Sequence, residues 1–268
     1  MKNTRLFFLL PLCVLLIGGS FSACKKNANG RHTLSLVDDA TVLSLSSQQY
    51  ATFLATNPPL KGTDASAMVN RVGTKVTAAV AQYLSNTGQS ALINNYQWEF
   101  NLVNNNEVNA WCLPGGKVVV YTGILPLIKS DAELAVVMGH EIAHAVLKHG
   151  NERMSDQLLV QYGGEALSVV LSSKPAETQQ LFNTAYGISS GLSVLAFSRK
   201  QEKEADEMGL YFMAMAGYDP NNAVSFWQKM AAQSTTSTPV LLSTHPSDED
   251  RIQNIKNLLP KALTYYTP

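Results

Sequence analysis

Cysteine is scarce in this chain, with Cys13, Cys24 and Cys112 the only three in 268 residues. Cys13 lies in an apolar N-terminal run and Cys24 just behind it, so the body of the protein has one thiol and no intramolecular disulfide to rely on. Charge is sparse and balanced, 20 basic against 20 acidic residues, and the basic footprint of a nucleic-acid binder is missing. No internal repeat is visible. What remains is 46% hydrophobic residues, enough to bury a real core in one large or two small domains.

The N-terminus has the build of a targeting segment. Lys2 and Arg5 precede an apolar run of 12 residues, 6–17, which is too short for the about 20 residues of a membrane-crossing helix. Gly18-Gly19-Ser20 breaks the run, and Phe21-Ser22-Ala23-Cys24 resembles a bacterial lipobox. Residues 1–23 are therefore expected to be a lipoprotein-type signal peptide, and Cys24 the acylated first residue of a protein held at a membrane surface. A soluble exported protein and an uncleaved anchor are the alternatives. Removing 1–23 takes away two basic residues and no acid, leaving 18 basic against 20 acidic, or about minus two. Residues 24–45 are polar and irregular and read as a flexible tether, which makes His32 a poor ligand candidate. Residues 46–268 form the folded domain.

Within that domain the hydrophobic period is helical over 46–55 and 64–85, with Asn57-Pro58-Pro59 between them. From Tyr96 the period shortens to two: 96–103, 108–112 and 117–122 read as strands of a small antiparallel or mixed sheet, with Pro114-Gly115-Gly116 as a turn. Beyond Gly150 the pattern is helical again over 154–171, 176–189, 192–215, 220–232 and a last stretch to 258, with a polar loop at 234–239. The fold class is α+β, mainly helical, with the small sheet ahead of the central motif. Cys112, in an apolar stretch, reads as a small buried hydrophobe rather than a ligand or nucleophile.

That central motif is His140-Glu141-Ile142-Ala143-His144. On a helix the four-residue step puts both imidazoles on one face, one turn apart, where they can close on one zinc ion. Glu141 sits about 100° further round, placed to act as general base on a water. The surround, with Leu134, Val136, Val137, Val146 and Leu147, is apolar enough for a helix buried on most sides, where histidine and glutamate need partners. Ser130 with Glu133 reads as a capping box for this helix. His149 reads as a solvated residue of its last turn, favoured by the helix dipole.

A catalytic zinc needs a third protein ligand. The best candidates lie in residues 198–206, where Glu202 and Asp206 share a helix face with Arg199 one turn earlier, while Glu204 points elsewhere. In isolation such a cluster would be a solvated acidic face. Set 62 residues after His140 (202 minus 140), it is a candidate for the metal.

HEIAH and SRKQEKEAD at this distance resemble the gluzincin zinc metallopeptidase family that includes the CAAX prenyl endopeptidase, HtpX, BepA and LoiP. The likeness runs over most of 48–259. It includes Asn109-Ala110-Trp111-Cys112-Leu113-Pro114-Gly115-Gly116, Tyr121-Thr122-Gly123-Ile124-Leu125, and Ser243-Thr244-His245-Pro246 with Arg251. In build the chain is closest to LoiP-like lipoproteins. The resemblance implies a zincin-type metallopeptidase domain over 46–268, with one Zn2+ bound by His140, His144 and Glu202 and Glu141 as base. It implies Asp206 as proton donor or as a group orienting a ligand, and His245 as either a plug of the open metal position or a stabiliser of the oxyanion. Arg251 supports that loop or meets developing negative charge. Residues 115–121 are expected to be an edge strand along which an extended substrate pairs, a buried core strand being the competing view.

The function implied is zinc-dependent endoproteolysis of misfolded or unassembled envelope proteins, on the periplasmic side of a bacterial outer membrane. A non-catalytic lipoprotein chaperone or adaptor keeping a structural zinc is the alternative. Hydrolysis of a small molecule or lipid at the same zinc is a third.

Overall fold

A computed structural model describes residues 24–162, 175–186, 197–233, 239–245 and 249–268. The expected signal peptide, 1–23, lies outside these residues, as do 163–171 and 187–196 of the expected helices and most of the 234–239 loop.

The described residues open with a hairpin where a tether was expected. Strands β1 (Cys24–Lys26) and β2 (His32–Leu34) pair antiparallel, and helix α1 (Asp39–Thr56) starts seven residues ahead of its expected position, capped by the Asp38 carboxylate. Several groups of this stretch are docked onto the rest of the fold. Arg31 pairs with Glu152 and Glu204, the Leu36 N–H donates to Ser155 at 2.9 Å, and Asn151 donates to the Val37 carbonyl at 3.0 Å. Polarity alone could not distinguish a solvated linker from a docked one.

After β3 (Pro59–Leu60), helix α2 (Asp64–Asn86) opens on a reciprocal capping box of Thr63 and Ser66 and buries Val69, Val72, Val76, Val80 and Leu84. The sheet then forms from β4 (Glu99–Val103), β5 (Ala110–Leu113) and β6 (Lys117–Tyr121) in the order β3-β4-β6-β5. It is mixed: β6 runs parallel to β4 and antiparallel to β5. A tight turn joins β5 to β6, with the Gly116 N–H donating to the Leu113 carbonyl at 3.1 Å; Gly115, at φ 83°, takes the left-handed conformation this turn needs.

β6 is therefore an interior strand, and the expectation that 115–121 offers a free edge is corrected; β5 is the edge. The reason lies in its pattern. Val118 and Val120 pack toward α2 and the central helix, and Val119 and Tyr121 toward a second core with Tyr50, Met154 and Phe182. A strand buried on both faces shows an unbroken apolar run, as Val118-Val119-Val120-Tyr121 does.

Helix α3 (Asp131–Val146) carries the HEIAH motif and is buried over almost its whole length. The Ser130 hydroxyl accepts from the Glu133 N–H as expected. The other half of the box is shifted by one residue, because the Glu133 carboxylate accepts from the Lys129 N–H at 2.7 Å and from Lys229 at 2.6 Å. The helix ends sooner than its apolar pattern suggests: Lys148 adopts a left-handed φ of 59°, and α4 (His149–Tyr162) starts in a new direction. His149 is turned inward by this break and is fully buried, which corrects its reading as a solvated residue.

The remaining described helices are α5 (Pro175–Tyr186), α6 (Arg199–Met215), α7 (Asn222–Gln233), the short α8 (Val240–Thr244) and α9 (Glu249–Leu263). A capping box of Ser198 and Gln201 starts α6, rather than residue 192. No described helix is long and apolar enough to cross a membrane.

Among the described residues, helices α3 and α6 make the most extensive helix contact, and a pair of glycines sits in it. A β-carbon on Gly209 would lie 3.0 Å from the Gly139 carbonyl carbon and from the His140 nitrogen; one on Gly139 would lie 3.0 Å from the Gly209 oxygen. All these neighbours are helical backbone, which yields only if a helix moves. Gly209→Ala should lower the stability of the fold by about 1–3 kcal/mol, as overpacking does. It should also reduce zinc bound per chain, because α6 carries Glu202. Chemical denaturation and metal analysis of the purified variant check both; unchanged stability and full zinc would contradict the reading of this contact.

Candidate metal centre

His140 and His144 come from α3, Glu202 from the first turn of α6, and His245 from the end of α8. All four are buried, and one donor atom from each lies within 4.8 Å of the others. His140 Nε2 and His144 Nε2 are 3.0 Å apart, His144 Nε2 lies 3.3 Å from Glu202 Oε1, and His140 Nε2 lies 3.5 Å from Glu202 Oε2. A tetrahedral zinc with ligands at about 2.0–2.1 Å has ligand-to-ligand edges of about 3.3 Å. The three expected ligands thus stand at the spacing of one face of that tetrahedron. His245 Nδ1, at 3.1 Å from His140 Nε2 and 2.9 Å from Glu202 Oε1, is a fourth donor in the same cluster.

The chemistry of the set also fits a dication. Glu141, Glu202 and Asp206 are three buried carboxylates; Arg251 pairs with Glu202 and Asp206, and the buried Arg153 lines the same cleft as Glu141. With neutral imidazoles the carboxylates outnumber the guanidinium groups, and negative charge is left over in a place where uncompensated charge is costly. Glu141 Oε1 and Glu202 Oε2 are buried without a hydrogen-bond partner, although the Arg251 guanidinium stands 3.1 Å from the latter. Two imidazole nitrogens facing each other at 3.0 Å likewise call for something between them to share. Zn2+ answers all three demands.

Protonation follows the surroundings. Burial pushes His144 well below its ordinary pKa, toward the neutral form that ligates. Burial alone would raise Glu202, but the nearby histidines and Arg251 outweigh it and hold the carboxyl well below its usual range. Glu141 is raised, chiefly by burial. His245 is raised despite its burial, because the Glu141 and Glu202 carboxylates face it.

Around the donors stands a second set of contacts. Asp206 Oδ1 lies 3.0 Å from His140 Nδ1, the nitrogen turned away from the cluster, and Arg251 binds both Asp206 oxygens at 2.7 and 2.9 Å while its guanidinium lies 3.5 Å over the Trp227 ring. His149 Nδ1 lies 3.0 Å from His144 Nδ1, and His149 Nε2 lies 3.0 Å from Glu204 Oε2. Glu204 does point away from the donors, as its place on the helix suggested, but onto His149. Sequence reading missed this pair, since on an unbroken helix His149 would sit about 140° round from His144. Only the turn at Lys148 brings the rings together.

Beside the donors a cleft opens between β5 and the helices, lined by Trp111, Cys112, Glu141, Arg153, Tyr186 and Phe197 among others. Arg153 and Tyr186 were not foreseen there, having no spacing that ties them to the motif. Cys112 is a free buried thiol, as expected of a small core residue.

Peptidase family M48 matches residues 74–259 of the chain. The chain belongs to this family, whose members are zinc metallopeptidases, and its donor set is compatible with a zinc site. It is 41% identical over 171 residues to the mitochondrial metalloendopeptidase OMA1 of Arabidopsis thaliana, across 63% of this chain and 33% of that protein. It is 34% identical over 189 residues to the protein of the same name from Schizosaccharomyces pombe, across 70% of this chain and 53% of that protein. Identity to the beta-barrel assembly-enhancing protease of Yersinia pestis is 30% over 189 residues, across 66% of this chain and 38% of that protein. The matched region spans from about a third to about half the length of these relatives.

Proposed function

We propose that this chain is a zinc-dependent endopeptidase that cleaves misfolded or unassembled proteins of a bacterial envelope, anchored by acylated Cys24 on the periplasmic side of the outer membrane. The observation that carries the activity is Glu141: a buried carboxylate with an unpartnered oxygen, adjoining the His140, His144 and Glu202 donors and lining the β5 cleft. A binding module with a structural zinc has no use for such a base. The location rests on the lipobox-like 21–24 and on the likeness to a protease named for β-barrel assembly; relatives named as mitochondrial show that the fold serves other compartments.

Bound zinc would supply Lewis-acid polarisation of the scissile carbonyl and a lowered pKa for attacking water. The protein residues do the rest. An extended substrate lies along β5, whose outer side has no partner strand among the described residues, and main-chain hydrogen bonds hold it across the cleft. Glu141 takes the proton of the attacking water and passes it to the leaving amine. Asp206 has one oxygen on His140 and both on Arg251, so it orients the imidazole rather than donating a proton. His245, whose Nδ1 joins the donor cluster and whose Nε2 lies 3.6 Å from Glu141 Oε1, would have to turn aside for substrate to enter and would then be placed to steady the oxyanion.

Glu141→Gln should lose about 10²–10⁴-fold in kcat/KM on unfolded casein while keeping one zinc per chain. Cleavage at the wild-type rate would sink the mechanism. Cys24→Ser should move the protein from the membrane to the soluble fraction of fractionated cells, and retention in the membrane would contradict the anchor.

A further inference from the structure

Each imidazole ligand has one nitrogen for the metal and one to spare. The spare nitrogen of His140 meets Asp206. That of His144 meets another imidazole, and the proton count along that contact has only one solution once His144 ligates through Nε2, the nitrogen that faces His140 and Glu202. Its proton is then on Nδ1, and it donates to His149 Nδ1 at 3.0 Å, which must be bare. The His149 proton is therefore on Nε2, 3.0 Å from Glu204 Oε2, and donates to that carboxylate. Glu204 is in turn gripped by Arg31, whose Nε lies 2.6 Å from Oε1 and whose Nη2 donates to Oε2 at 2.9 Å. Reversing either imidazole bond of this chain puts the His144 proton on Nε2, where it blocks the metal.

Arg31 is not a loose surface cation. Glu152 binds it through two further bonds, at 2.6 and 2.8 Å, and Gln201 holds Glu152 at 2.9 Å. Its backbone is set by the hairpin turn, where the Arg31 N–H donates to the buried Asn27 side chain at 2.9 Å and the Asn27 N–H donates to the Arg31 carbonyl at 2.9 Å.

We infer that His149, Glu204 and Arg31 are positioning residues that fix the tautomer and ring orientation of His144, which makes the N-terminal hairpin a working part of the metal centre. This deepens the zinc reading of the site and rests on it. The centre is then braced from two sides: Asp206 of α6, held by Arg251 of α9, meets one imidazole, and Glu204 of α6, held by Arg31 of the hairpin, meets the other through His149.

The test is zinc affinity, measured on the full chain by chelator competition, with the d–d absorption of the Co2+-substituted protein as a second readout. His149→Phe should bind zinc about 10–100-fold more weakly than wild type, the loss typical of removing an outer partner of a ligand. Glu204→Gln and Arg31→Gln should lose affinity in the same direction, Arg31→Lys should recover part of it, and the cobalt spectrum of Glu204→Gln should shift. Should His149→Phe fail to fold, Glu204→Gln keeps the side-chain volume and carries the test. Zinc affinity within twofold of wild type in the folded variants, with an unchanged cobalt spectrum, would overturn the relay and leave the peptidase reading standing. A wild-type protein that binds no zinc would overturn that reading itself.

Discussion

Two helix backbones touch at Gly139 and Gly209, and the metal centre depends on that contact. A side chain at either position would hold the helices apart, and the Glu202 carboxylate, two turns up α6 from the contact, would no longer reach nitrogens 3.3 and 3.5 Å away. Metal–ligand bonds tolerate errors of about 0.2 Å, much less than the thickness of a methyl group. The rest of the fold holds this crossing in place. α2 and β5 flank α3, α9 packs on α6, and the sheet closes the far side with a strand buried on both faces.

Electrostatics explains why so polar a cluster tolerates so dry a place. The outer charges around the donors have counter-groups: Arg251 against Asp206 and Glu202, and Arg31 against Glu204 and Glu152. The surplus is negative and is concentrated where Glu141 and Glu202 approach the imidazoles. A dication fits that surplus, and the two arginine-capped arms keep the outer carboxylates ionised without competing for the metal themselves. Burial then has a chemical use, since it raises Glu141 and pushes His144 toward the neutral form.

The parts of this site legible in the sequence were those with a fixed local period. The His140 to His144 step fixes two ligands on one helix face, and Glu202 with Asp206 repeats the same step on another. The run 118–121 showed a strand but not its neighbours, because strand order is set by non-local pairing; an unbroken apolar run was the sign that it lay inside the sheet. His149, Glu204 and Arg31 could not be read as a group. Their meeting depends on one left-handed residue, Lys148, and on a hairpin whose polar composition looks like a linker. Short polar segments are ambiguous in this way whenever their partners are buried charges elsewhere in the chain.

X-ray absorption at the zinc edge of the purified, zinc-loaded protein tests the central claim most directly. The account predicts one zinc per chain with only nitrogen and oxygen neighbours at about 2.0–2.2 Å, at least two of them imidazole, and the loss of one oxygen neighbour in Glu202→Ala. A sulfur neighbour at about 2.3 Å, or a first shell unchanged by removing Glu202, would show that the two helices do not grip the metal in the way this structure requires.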